Sequence, residues 1–188
     1  KKVRKVHQGK IYDKERTKKK LISAVGKILM KEGHSGIRIN RIEDVSKVSK
    51  KLIYDYFGGL NGLMKAYLKQ IDFWKVNENA INSGDNLGLN NLDKDFIFNF
   101  LRENFNYLFN SVEMQKIILW GISEKNKSIR ELSDDREALG ELMFQTTDKV
   151  FSNTEVDFRA TSLILVASIY YTVLHLKTNG SKMCGIDM

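Results

Sequence analysis

Three features of the 188-residue sequence predict an all-α fold. It contains no proline, its apolar residues recur at helical spacing, and strand-like alternation rich in Val and Thr is scarce. With no ring to break a backbone ladder, helices end where glycines or polar clusters stop them. An apolar content of 42% beside 29% charged residues is the profile of a globular chain, not a disordered one.

The first helix is expected over 13–31, where Leu21, Ile22, Val25, Ile28 and Leu29 share one face and Lys18, Lys19, Lys20 and Lys27 lie mostly elsewhere. Gly33 and Gly36 in "KEGHSG" are its stop signals. A short second helix over 40–46 turns Ile42 and Val45 inward, with Asn40 as the expected cap. Ser49 is the expected cap of a third helix from Lys50 to Phe57, closed by Gly58 and Gly59. A fourth, over 60–76, carries Leu63, Leu68 and Ile71 as core candidates and Trp74 near its end. Two short helices separated by a tight turn form the layout of a helix-turn-helix, whose second helix enters the major groove of DNA.

"NENAINSGDNLGLNNLDKD" is rich in Asn, Gly and Asp and reads as a linker. The aromatic run "DFIFNFLRENFNYLF" is apolar over more than half its circumference, so it is expected to be enclosed by other helices or to line a cavity. "VEMQKIILWGIS" follows, then a longer polar helix over 126–151 with Ile129, Leu132, Leu139, Leu142 and Met143 inward. The last helix, 160–176, is apolar nearly all round, leaving a narrow stripe of Thr161, Ser168, Thr172 and His175. Such a helix needs partners on opposite sides. A dimer interface is preferred to a monomer's central helix or a membrane span, since its seventeen residues are short and polar for the last.

Charge divides the chain. Residues 1–75 hold 20 Lys+Arg against 7 Asp+Glu, and the remainder 11 against 16, for a net charge of +8. A polyanion-binding module joined to a mildly acidic one accounts for this. Enzyme chemistry is not expected: His7, His34 and His175 are far apart with no metal-ligand spacing, and neither a phosphate loop nor a nucleophile motif is present. The single Cys184 offers no intrachain disulfide and no signal-peptide pattern follows the basic start, so a cytoplasmic location without membrane insertion is the default.

The segment 14–70 resembles the DNA-binding domain of the tetracycline-repressor (TetR) family. Gly33, Ile42-Glu43, Val48-Ser49, Ile53-Tyr54, Phe57 and Leu63 occupy the positions of its pattern, and "VSKKLIYDYF" is the specific part. Three residues depart from it: Lys47 stands at the turn glycine, Glu43 at the small residue after Ile42, and Leu60 where a phosphate-gripping lysine commonly opens the fourth helix. The last departure shifts that grip onto the backbone amides of the fourth helix.

The resemblance implies a three-helix DNA-binding domain over 1–59, including a basic arm at residues 1–10, and a helical ligand-binding and dimerisation bundle over 60–188 that lacks the family's final helix. Lys50 and Lys51 are then expected near base edges or phosphates, Lys47 at a phosphate, Tyr54 and Tyr56 at the backbone, and Asn40 and Arg41 at the start of the bracing helix. The implied function is a transcriptional regulator, a ligand-responsive repressor binding double-stranded DNA as a homodimer on a pseudo-palindrome. Its small apolar or aromatic effector is expected among Phe100, Phe105, Tyr107, Trp120, Phe144, Tyr170, Tyr171 and His175; no cofactor or metal is implied. An inducer-free DNA-binding protein of the same fold, architectural or division-linked, is the alternative.

Overall fold

A computed structural model of the chain describes residues 9–72, 94–180 and 182–187, with side chains from Asp13 onward. Residues 1–8 of the basic arm, Trp74 with the expected end of the fourth helix, and nearly all of the expected linker lie outside the described residues. Described residues form α-helices, one 3-10 turn and one isolated bridge between Met183 and Ile186. The chain divides into two compact units, Lys1–Leu68 and Lys69–Met188.

In the first unit α1 spans Gly9–Glu32, four residues longer at its start than its apolar periodicity announces. Leu21, Ile22, Val25, Ile28 and Leu29 are buried as expected, and Ala24 joins them. Each fully buried Leu or Ile contributes about 1.5–3 kcal/mol. Gly33 turns left-handed (φ 74°) and donates to the Leu29 carbonyl at 3.1 Å, which ends the helix. The 3-10 turn His34–Gly36 leads into α2, Ile39–Ser46, which packs Ile42 into the core and lies against α1.

The expected cap at Asn40 is corrected by the structure. Extended Arg38 precedes the helix and Ile39 is already helical, so Asn40 lies inside the first turn; no side chain caps this end. Lys47 closes α2 in the left-handed region (φ 57°, ψ 30°), its N–H bonded to the Glu43 carbonyl at 2.9 Å. Helix α3, Lys51–Phe57, buries Ile53. Gly58 (φ 72°) and Gly59 (φ 122°) end it, their N–H groups bonded to the carbonyls of Tyr54 and Ile53 at 2.9 and 3.4 Å. Helix α4, Leu60–Ile71, follows at once, with Leu63, Met64, Tyr67 and Leu68 buried.

Gly62 explains the tightness of that junction. A Cβ on it would stand 1.7 Å from the Phe57 carbonyl oxygen. Only a residue without a side chain lets α4 start so close to the end of α3.

The second unit comprises α5 (Lys94–Asn110), α6 (Val112–Ser123), α7 (Lys127–Phe151) and α8 (Phe158–Asn179). Helix α8 packs on α5 and α7, and α6 joins α5 to α7. Three of these starts are capped in the ordinary way. Ser111 Oγ accepts the Met114 amide at 3.2 Å, Asn126 Oδ1 those of Ser128 and Ile129 at 2.9 and 3.2 Å, and Asp157 Oδ1 that of Ala160 at 2.9 Å. The α5–α6 corner is tied by Gln115, whose amide nitrogen donates to the Leu108 and Phe109 carbonyls at 2.8 and 3.2 Å.

One expectation for this unit changes. Leu142, placed inward by periodicity, is exposed, whereas Ile129, Leu132 and Leu139 are buried. Helix α5 follows the second of its two expected forms, since Phe100 and Leu101 line a cavity while Phe98 faces out. Helix α8 buries only Val173 and Leu174, while Leu163 and Ile164 are 70% and 64% exposed. It is the one helix among the described residues long and apolar enough to cross a membrane by composition, and that alone is weak evidence for a span.

Candidate nucleic-acid interface

The first unit carries a groove at the meeting of the starts of α2, α3 and α4, about 760 Å³ in volume, lined by Arg38, Asn40, Glu43, Lys50, Lys51 and Tyr54 among others. Folding thus brings together four of the seven residues expected to face DNA, from two stretches ten residues apart. Lys50 Nζ donates to Asn40 Oδ1 at 3.3 Å, which steadies the ammonium at the mouth of the groove. Tyr54 is exposed, so its hydroxyl is free to meet a partner while Ile53 beside it anchors the helix.

The start of α3 is fastened by two side chains that precede it in the sequence. Ser49 Oγ accepts the Lys51 amide at 3.4 Å, as the sequence leads one to expect, with Lys50 already in helical conformation. Glu43 Oε1 accepts the Lys50 amide at 2.9 Å, and a carboxylate there also meets the positive end of the helix dipole. Periodicity does not disclose this second cap; the carboxylate seven residues upstream of an uncapped amide was the one available signal.

The other three expected residues lie apart from the groove. Lys47 is exposed at the α2–α3 corner. Tyr56 is half-buried with Lys14 Nζ 5.5 Å from its ring centre, a cation–π contact with α1. Arg41 is gripped by Glu32 at the end of α1, with contacts of 2.5, 3.0 and 3.1 Å. Its hydrogen bond holds the Glu32 carboxyl below its ordinary pKa and raises that of the guanidinium. Arg41 therefore ties the bracing helix to α1 in this conformation. Arg38, which sequence reading passed over, lines the groove instead.

In the second unit Phe100 and Phe144 come together in an apolar cavity of about 80 Å³ between α5, α7 and α8, with Phe158, Leu165 and Thr147 also lining it. Arg159 lies 4.8 Å from the Phe144 ring centre and is held by Glu141 (2.8 and 2.9 Å) and Asp148 (2.7 and 3.1 Å). Both carboxyls are lowered in pKa by their hydrogen bonds to Arg159.

The remaining effector candidates are dispersed. Phe105 stacks on Phe109 at 5.6 Å, and Tyr171 on His175 at 5.9 Å with Tyr171 exposed. Trp120 is buried and its indole N–H donates to Glu124 at 2.5 Å. Tyr107 donates to the Ile71 carbonyl, and burial pushes its phenol pKa up. Tyr170 is half-buried. Near Tyr107, buried Asp72 is bound by Arg136 at 2.5 and 3.0 Å.

A helix-turn-helix unit followed by a helical bundle is an arrangement with counterparts among solved structures. Two solved structures of NalD, the secondary repressor of the MexAB-OprM multidrug efflux pump in Pseudomonas aeruginosa, share it. One aligns with a TM-score of 0.64 over 92% of this chain and 90% of its own, the other with 0.66 over 90% and 89%, both at 16% identity. No family model and no curated protein matches the chain.

Proposed function

We propose that this protein is a DNA-binding transcriptional regulator that grips duplex DNA with the groove between α2 and α3. The observation that carries the reading is the convergence of Asn40, Lys50, Lys51 and Tyr54 on that one groove. Lysines and a phenol there match phosphate contacts more than base-specific ones, because no arginine is poised for bidentate pairing with guanine in α3. The NalD likeness supports a repressor. The exposed apolar face of α8 supports a homodimer, which would place two α3 helices on the half-sites of a pseudo-palindrome.

The test is DNA binding by Lys50→Ala, Lys51→Ala and the double variant against a duplex selected from random sequence by the wild-type protein. Each single change is expected to weaken binding and reduce the salt slope by about one. Wild-type affinity in all three variants would overturn the assignment.

In the effector-responsive form of this reading, a ligand enters the Phe100–Phe144 cavity and favours a state that does not fit the operator. It shifts the population only by its differential affinity for the two states. The cavity favours the inducer-free reading as a second possibility, since about 80 Å³ is well short of the roughly 300–1,000 Å³ of ordinary small-molecule pockets. Thermal-shift screening of small apolar compounds against wild type and Phe144→Ala separates the two. A compound that stabilises the first and not the second supports an effector; none stabilising either supports the inducer-free form.

A further inference from the structure

A second basic surface lies on α1, apart from the groove just described. Arg16, Lys19, Lys20 and Lys27 line a shallow groove of about 420 Å³ together with Val45 and Ser46 at the end of α2. Their spacing places all four within about 100° of the helix circumference, and from Arg16 to Lys27 the axis advances about 16 Å. All four are exposed, no acidic residue lines the groove, and none of the four is ion-paired among the described residues. Lys18, one position off the stripe, is the α1 lysine that pairs with Glu15, at 2.9 Å.

Like charges aligned this way repel one another, and folding gives nothing in return, because the apolar face of α1 is already filled by Leu21, Val25, Ile28 and Leu29. That same burial argues against a lipid surface as the partner. An interfacial helix must present apolar side chains beside its cations, and here those side chains form the core. A straight row of ammonium and guanidinium groups fits a regular row of anions. One strand of duplex DNA advances about 3.4 Å per phosphate, so about 16 Å of stripe runs beside four or five of them.

We propose that Arg16, Lys19, Lys20 and Lys27 form a second contact surface for DNA phosphates, which extends the footprint along the backbone past the segment gripped by α3. Exposed Ser23 lies in the middle of the stripe and offers a hydroxyl to the same strand. The contribution is independent of base sequence: this surface adds affinity and salt dependence to those supplied by the α2–α3 groove. The inference rests on the DNA-binding reading above, and its test keeps the two apart.

The test is anisotropy titration of a labelled short random-sequence duplex with wild type, with the triple variant Lys19→Gln/Lys20→Gln/Lys27→Gln, with Ser23→Glu and with Lys50→Ala/Lys51→Ala. Because random sequence probes phosphate contacts alone, no operator is required. The triple variant is expected to lower the salt slope by about three, so that between about 50 and 200 mM salt it loses roughly fortyfold less affinity than wild type. Ser23→Glu introduces one opposing charge and is expected to weaken binding at the lower salt several-fold with an unchanged melting temperature. It decides the matter should the triple variant fold poorly.

Wild-type slope and affinity in a folded triple variant, or wild-type affinity in Ser23→Glu, would overturn the α1 surface while leaving the groove intact if Lys50→Ala/Lys51→Ala still loses binding. Absence of any wild-type binding at the lower salt overturns the DNA-binding reading itself, and this inference with it.

Discussion

The two corners that flank α3 solve the same problem with opposite chemistry. At the α2–α3 corner a lysine, Lys47, occupies the left-handed conformation, and the turn is held by polar caps from Ser49 and Glu43. At the α3–α4 corner Gly58 and Gly59 take the positive φ values, and Gly62 lets backbone meet backbone. The first corner is fixed by hydrogen bonds and tolerates a side chain at the price of torsional strain. The second is fixed by steric contact at Gly62, which tolerates none.

The largest expected effect follows from Gly62→Ala. With 1.7 Å to the Phe57 oxygen, α4 must move away from α3, and urea denaturation should show a loss of about 3 kcal/mol, the upper end of overpacking penalties. Gly58→Ala is the informative partner, because no atom lies within 4 Å of its Cβ position. Its penalty is torsional and should be about 1 kcal/mol. Equal losses at the two positions would remove the distinction between strain and contact.

Next comes Glu43. Replacing it with Ala removes an acceptor from the Lys50 amide, and a loss of about 1 kcal/mol in the same assay is expected. Glu43→Gln keeps an acceptor oxygen and withdraws a negative charge from the groove. Stability within about 0.5 kcal/mol of wild type and several-fold tighter duplex binding are its expected outcomes. Weaker binding by this variant would show that the carboxylate aids the interface instead of opposing it.

Lys47→Gly probes the strained side of the first corner. Relief of the left-handed conformation should raise stability by up to about 1 kcal/mol, partly offset by glycine's greater freedom when unfolded. If Lys47 also meets a phosphate, the salt slope should fall by about one in the same variant. A destabilised Lys47→Gly would mean the turn draws more from the lysine side chain than its geometry suggests.

The smallest effect belongs to the Glu32–Arg41 pair, which is exposed to solvent and screening. Its hydrogen bond depresses the folded-state pKa of Glu32, so its contribution is present above the unfolded value and is lost as pH falls through the folded one. The melting-temperature gap between wild type and Glu32→Gln should therefore be open at neutral pH and close well below the usual glutamate value of about 4.3. A gap independent of pH would assign the effect to packing.

Much of the first unit was legible because its determinants are local. The α1 stripe at three- and four-residue spacing, the glycine stops and the Ser49 cap each lie within a few residues of what they control. Residues whose roles depend on distant partners were not legible. Glu43 stood out only as a departure from a small residue until the Lys50 amide stood beside it, Gly62 drew no notice inside the expected fourth helix, and Arg41 was expected to face DNA until Glu32 met it. In the second unit, aromatic content pointed to a cavity, yet only Phe100 and Phe144 of the eight expected residues line it. Helical spacing says which side chains leave one face together, not which neighbouring helix receives them. Leu142 was misplaced for the same reason.

The bare apolar face of α8 has a thermodynamic consequence. Leu163, Ile164 and Tyr171 stand in water, and whatever covers them adds its own binding to the stability of the helix. With a second copy as the cover, mass action makes the melting temperature rise with protein concentration. A single melting temperature then describes a solution at one concentration, not the chain.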